Sequence, residues 1–117
     1  MGAGAQLSVT DLRRSTRHPV EYRVMAEHRQ RGDVHLYIVN ISAHGFMVQD
    51  DPGHPALELG RGERVVIRLP HVGRIEAHLI WANGNRAGFQ FERIIRADDF
   101  ITLIDTLQPN PRLRGRR

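Results

Sequence analysis

Residues 75–91 read Ile75-Glu76-Ala77-His78-Leu79-Ile80-Trp81-Ala82-Asn83-Gly84-Asn85-Arg86-Ala87-Gly88-Phe89-Gln90-Phe91. Ile75, Ala77, Leu79 and Trp81 alternate with Glu76, His78 and Ile80, and Ala87, Phe89 and Phe91 alternate with Gly88 and Gln90. A period of two places one set of side chains on each face of a strand. Asn83-Gly84 separates the runs, and both residues tolerate positive φ, so the stretch reads as a β-hairpin. In this register Trp81 joins Leu79 and Ala77 on the core face.

The same period continues upstream. Val20, Tyr22 and Val24 alternate with Glu21 and Arg23; Val34, Leu36 and Ile38 with His35 and Tyr37; Phe46 and Val48 with Met47 and Gln49; Val65, Ile67 and Leu69 with Val66 and Arg68. Pro70 and Gly73 bracket one short connection, and Asp50-Asp51-Pro52-Gly53-His54-Pro55 opens a longer loop running to about Gly62. Six short strands with turns at this spacing predict an all-β antiparallel barrel. The period then changes. Phe100, Leu103, Ile104 and Leu107 stand at i, i+3, i+4 and i+7, the apolar face of one C-terminal helix that covers an open end of the barrel. Asp98 and Asp99 suit the start of that helix and Pro109 its end.

Composition narrows the function. The 117 residues, 40% of them hydrophobic, suffice for one folded domain. The absence of cysteine removes disulfide frameworks, zinc–thiolate centres and thiol nucleophiles. The opening Met1-Gly2-Ala3-Gly4-Ala5-Gln6 has neither the basic nor the apolar region of a signal peptide. No apolar run approaches the ~20 residues that span a bilayer, so a cytoplasmic location without membrane insertion is expected. The net charge of +4 is concentrated at the ends. Arg112, Arg114, Arg116 and Arg117 close the chain, leaving 13 arginines against 13 acidic residues before them. A general nucleic-acid binder spreads positive charge along a face or groove, which makes nucleic acid an unfavoured partner. The seven histidines are scattered, with no HExxH and no tight His/carboxylate cluster in the sequence, so no metal site is expected. No phosphate loop, nucleophile elbow or catalytic carboxylate pair appears, and an enzyme is the least favoured class.

Two short motifs remain. Arg13-x-x-x-Arg17 precedes the first strand, and Asn40-Ile41-Ser42-Ala43-His44-Gly45 joins the second and third. Taken alone, the first is a solvated basic loop and the second an Asx/Ser turn with a glycine. Together, in this order and within this strand pattern, they resemble the PilZ family, whose pattern is RxxxR followed by (D/N)xSxxG. The resemblance extends over roughly residues 12–107, including the late Gly88-Phe89-x-Phe91 strand and the closing helix. It implies a six-stranded antiparallel PilZ-type barrel with one C-terminal helix. It also implies a bacterial receptor for cyclic di-GMP that regulates a partner protein in motility, biofilm or polysaccharide output, with no cofactor.

The implied ligand residues are Arg13, Arg14, Arg17, Asn40, Ser42 and Gly45, with His44 a further candidate inside the second motif. Their chemistry suits the ligand. The arginine fork matches phosphate oxygens and the O6/N7 edge of guanine, and its flat face stacks on a base. Asn40 and Ser42 offer short polar groups, and Gly45 permits a tight turn or close approach. Leu12, where many family members carry a basic residue, points to one ligand per chain. The domain so read covers 13–107, between a flexible segment 1–12 and a disordered basic tail 108–117. Two rivals stand beside it: a PilZ-like adaptor that binds no nucleotide, and a small barrel that binds single-stranded nucleic acid. The second is weakened by an aromatic content of 6%, most of it in core register.

Overall fold

The computed structural model describes residues 16–107. It comprises β1 (His18–His28), β2 (Gly32–Ile41), β3 (Gly45–Gln49), β4 (Arg64–Leu69), β5 (Gly73–Asn83), β6 (Arg86–Phe91) and a helix, α1 (Ala97–Leu107). The strands close into an antiparallel barrel in the order β1-β2-β3-β6-β5-β4. The six runs of alternation become the six strands. Closure between β1 and β4 is brief, with Glu27 opposite Val66 and His28 opposite Val65.

The barrel fills with the apolar half of each alternation. Leu36, Ile38, Ile67, Ile75 and Leu79 are fully buried, and Phe46 stacks on Phe89 with ring centroids 5.0 Å apart. The expected apolar face of α1, Phe100, Leu103, Ile104 and Leu107, is buried. Phe100 also meets the His18 ring at the start of β1, with centroids 5.6 Å apart.

Two sequence readings are corrected in detail. The β5–β6 hairpin forms, but Asn83 pairs with Arg86, so Gly84 and Asn85 are its loop residues. Gly84 has φ +63° and Asn85 no positive φ, the pattern of a type II′ turn with glycine first. Trp81 is not in the core. The β5–β6 register shifts between Leu79 and Trp81, so one extra residue, Ile80, enters β5. A bulge of one residue reverses the facing of the residues beyond it, and Trp81 ends 37% exposed.

A similar irregularity shapes the first sheet edge. Between Pro19 and Tyr22 the β1–β2 register shifts, and so does β2–β3 between Ile38 and Asn40. The first places its extra residue in β1, and the second places one in β2 just before Asn40, at the start of the Asn40–Gly45 motif.

Candidate ligand-binding site

Arg17 immediately precedes β1, and Asn40 lies near the end of β2, where it pairs with Pro19. This pairing brings the two motifs into contact: Arg17 Nη1 donates to Asn40 Oδ1 at 3.0 Å. Asn40 Nδ2 in turn points at Met47 Sδ, 3.8 Å away on β3. Met47 is opposite Gly88 on β6, and Gly88 is opposite Trp81 on β5. Pro19, Asn40, Met47, Gly88 and Trp81 therefore form one lateral row across five strands.

Gly88 explains how Trp81 lies in that row. A Cβ on Gly88 would sit 2.1 Å from Trp81 Nε1 and 2.6 Å from its Cε2. The indole is laid on bare backbone, as happens where glycine interrupts a strand. Met47 and Trp81 are the parts of this surface that the motifs do not contain. The isolated Gly88 between Ala87 and Phe89 was the available signal, since glycine within a strand often marks a close approach.

The turn after Asn40 is internally satisfied. Ser42 is 3% exposed. Its Oγ accepts from His44 N at 3.1 Å, and its own N donates to Gly45 O at 2.8 Å. Two further carbonyls are taken from outside: Ile95 N donates to Ala43 O, and Phe91 N to His44 O. The β2–β3 turn is thus fastened to the segment joining β6 to α1. Gly45 has no positive φ. A Cβ there would stand 2.1 Å from the Phe89 carbonyl oxygen. The glycine is required by close packing of β3 on β6. His44 is the exposed side chain of the turn.

Of the six residues singled out in the sequence, Arg17 and Asn40 are in contact, and Ser42 and Gly45 build the turn beyond them. Arg13 and Arg14, with Leu12, lie outside the described residues. A concavity of about 720 Å³ lies elsewhere, on β1, β4 and β5. Glu27, Glu63, Glu76 and Glu92 line it with His28, Arg64 and Arg74. Its four carboxylates face three arginines, Arg29, Arg64 and Arg74, so it has no excess of positive charge for a phosphate, whereas the Arg17 row offers a cation, an amide, a thioether and an indole face.

The family model described as PilZ domain matches residues 11–107. The crystal structure of the PilZ domain of CeSA from a cellulose-synthesizing bacterium is similar at a TM-score of 0.53 and 21% identity, over 80% of this chain and 95% of that one. The structure of the Bacillus subtilis inhibitor of motility, MotI/DgrA, is similar at a TM-score of 0.54 and 23% identity. That match covers 86% of this chain and 51% of that one, so this chain spans about half of its length. At such identities the two likenesses establish the fold. No curated protein sequence matches.

Proposed function

The chain belongs to the PilZ domain family, a family of cyclic di-GMP receptors, and from that premise we propose that it binds cyclic di-GMP on the outer face of its barrel and so regulates a partner protein. PilZ domains are regulatory binding domains and not enzymes. The observation that carries the reading is the 3.0 Å contact from Arg17 to Asn40, which joins the two ligand motifs into one surface.

In this reading Arg17 clamps a phosphate and the guanine edge beside it. Asn40 releases Arg17 and turns its amide to the ligand. Arg13 and Arg14 add positive charge from the first motif, and His44 flanks the ligand at the turn. Ser42 and Gly45 act by fixing the shape of that turn. Charge-assisted hydrogen bonds contribute ~1.5–3 kcal/mol each. A micromolar affinity requires ~8 kcal/mol, which a few such bonds and one stacked base supply. Binding covers the Arg17–Asn40 surface with ligand and so changes the surface offered to the partner. No helix among the described residues is long and apolar enough to cross a membrane.

Calorimetric titration with cyclic di-GMP, with GTP as control, tests the reading. Specific binding at micromolar or tighter concentration is expected, at one ligand per chain. Arg17→Ala should weaken it at least ~30-fold, about 2 kcal/mol, with circular dichroism unchanged. Trp81 is the sole tryptophan, so its emission should respond to the ligand. A folded protein that binds no cyclic di-GMP would replace the receptor reading with a nucleotide-independent adaptor.

A further inference from the structure

Folding assembles a group of side chains that stand far apart in the sequence. His35 lies on β2, while Asp51 and His54 lie in the loop between β3 and β4. Asp51 Oδ2 is 2.9 Å from His35 Nε2 and 3.5 Å from His54 Nδ1. One ligand atom from each residue falls within a cluster no wider than 4.8 Å. Zinc holds nitrogen and oxygen ligands at ~2.0–2.2 Å, so neighbouring ligand atoms of a tetrahedral site stand about 3.3 Å apart. The two separations bracket that spacing.

We propose that His35, Asp51 and His54 form a three-ligand site for a divalent transition ion of the zinc class, which clamps the β3–β4 loop onto β2. Water completes the coordination from the solvent side, where the His54 side chain is 43% exposed. Two imidazoles and one carboxylate are borderline ligands suited to zinc, nickel or copper more than to magnesium or calcium.

Three features of the surroundings bear on this assignment. First, Asp51 is held in place for ligation. Its side chain is 7% exposed and lies 2.8 Å from Arg23 Nε and 2.9 Å from His35 Nε2. Second, the two imidazoles are stacked, with centroids 3.6 Å apart and planes 5° from parallel. His54 stands between Gly53 and Pro55 and must turn from the stack to aim its nitrogen at the ion, while His35 binds through Nε2 in the tautomer that carries its proton on Nδ1.

Third, Arg23 competes. Its Nε donates to Asp51 Oδ2 at 2.8 Å, whereas its Nη2 approaches Oδ1 at only 3.5 Å. A metal at Oδ2 must displace this Nε hydrogen bond, leaving the guanidinium only its longer approach to Oδ1. Tyr37 keeps the guanidinium nearby, with Arg23 Cζ 4.2 Å from its ring centroid. A cation so close limits affinity to the micromolar range.

The test is zinc titration of the untagged, metal-stripped chain against a competing chromophoric chelator. One equivalent at micromolar affinity is expected, with a rise in Tm on adding zinc. His54→Gln and His35→Ala should each weaken binding at least ~30-fold, and His78→Ala, on β5, should leave it unchanged. His54→Gln changes an exposed side chain and keeps the fold. Arg23→Ala should tighten binding by removing the competing cation, an effect that a purely structural hydrogen-bond cluster would not give. Zinc bound equally well by wild type and the double variant His35→Ala/His54→Ala would overturn the assignment. So would a wild type that binds none.

Discussion

The β2–β3 turn and the β3–β4 loop leave β3 from its two ends, and different forces hold them. The turn is fixed by backbone. Ser42 N bonds to Gly45 O, Ile95 N to Ala43 O and Phe91 N to His44 O. Ile41, Ser42 and Ala43 are buried within it. The loop has backbone bonds of its own, Asp50 N to Asn85 O and Gly62 N to Leu79 O among them, and adds ionisable side chains to them. Arg23, His35 and His54 gather on Asp51 near its start, and His28 and Gly60 gather on Glu63 at its end. Backbone hydrogen bonds keep their strength across the accessible pH range, whereas ion pairs weaken when one partner titrates. The hydrogen bonds of the turn are therefore insensitive to pH, and the loop is the part that solution conditions reach.

The largest effect is expected from attacking the turn. In Gly45→Ala the new Cβ would stand 2.1 Å from Phe89 O and 3.1 Å from Gln90 Cα. Both atoms belong to the backbone of β6, so neither can rotate away. The loss of stability should lie at or above the top of the ~1–3 kcal/mol range for overpacking. Gly32→Ala is the control. Nothing lies within 4 Å of a Cβ there, and its cost is the φ of +75°, worth ~1 kcal/mol. Urea unfolding compares the two. A Gly45 variant no less stable than the Gly32 variant would show that the β3–β6 seam gives way easily, and the contrast between turn and loop would fail.

A smaller and pH-dependent effect is expected in the loop. His28 Nδ1 accepts from Gln30 N and Arg31 N, each at 3.1 Å. Its proton is therefore on Nε2, which donates to Glu63 Oε1 at 2.7 Å. Gly60 N donates to the other oxygen at 2.7 Å. The Gly60 hydrogen bond, and after it that of His28, hold the Glu63 carboxyl below its ordinary 4.5. A depressed carboxyl stabilises the fold above its unfolded value and loses that contribution as pH falls through the folded value. Glu63→Gln should therefore be less stable than wild type at neutral pH. The gap should close progressively below about pH 4. Urea midpoints measured across that range, with chelator present, give the answer. A gap independent of pH would mean that Glu63 acts by shape and not by charge.

Legibility in the sequence divides along the same line. The strands and helix are written in periods of two and 3.6, and burial follows them closely except beyond the β5 bulge. Arg17 and Asn40 were legible as a pair because each belongs to a motif, and strand pairing then placed them in contact. The facing of Trp81 was not legible. A single extra residue, Ile80, reverses it, and a bulge leaves no mark on an alternation that continues in sequence. The burial of Ser42 depends on carbonyls claimed by Phe91 and Ile95, some fifty residues away in the chain. The meeting of His35, Asp51 and His54 likewise comes from how the loop folds back on β2, which no local spacing encodes.

The smallest effect should come from Gly88, and it sharpens the contrast because the nominal overlap equals that at Gly45. A Cβ on Gly88 would lie 2.1 Å from Trp81 Nε1 and 2.8 Å from its Cδ1. Here the obstacle is a side chain already 37% exposed. The indole can rotate into water, losing part of its contact with the strand and leaving the ladder intact. Gly88→Ala should therefore cost less than ~1 kcal/mol, within reach of ordinary surface substitutions. The emission of Trp81, free of interference from any second tryptophan, should shift to the red as the ring becomes more hydrated. Stability lost on the scale of Gly45→Ala would mean that Trp81 is locked in place. The outer row from Asn40 to Trp81 would then be as rigid as the turn beside it.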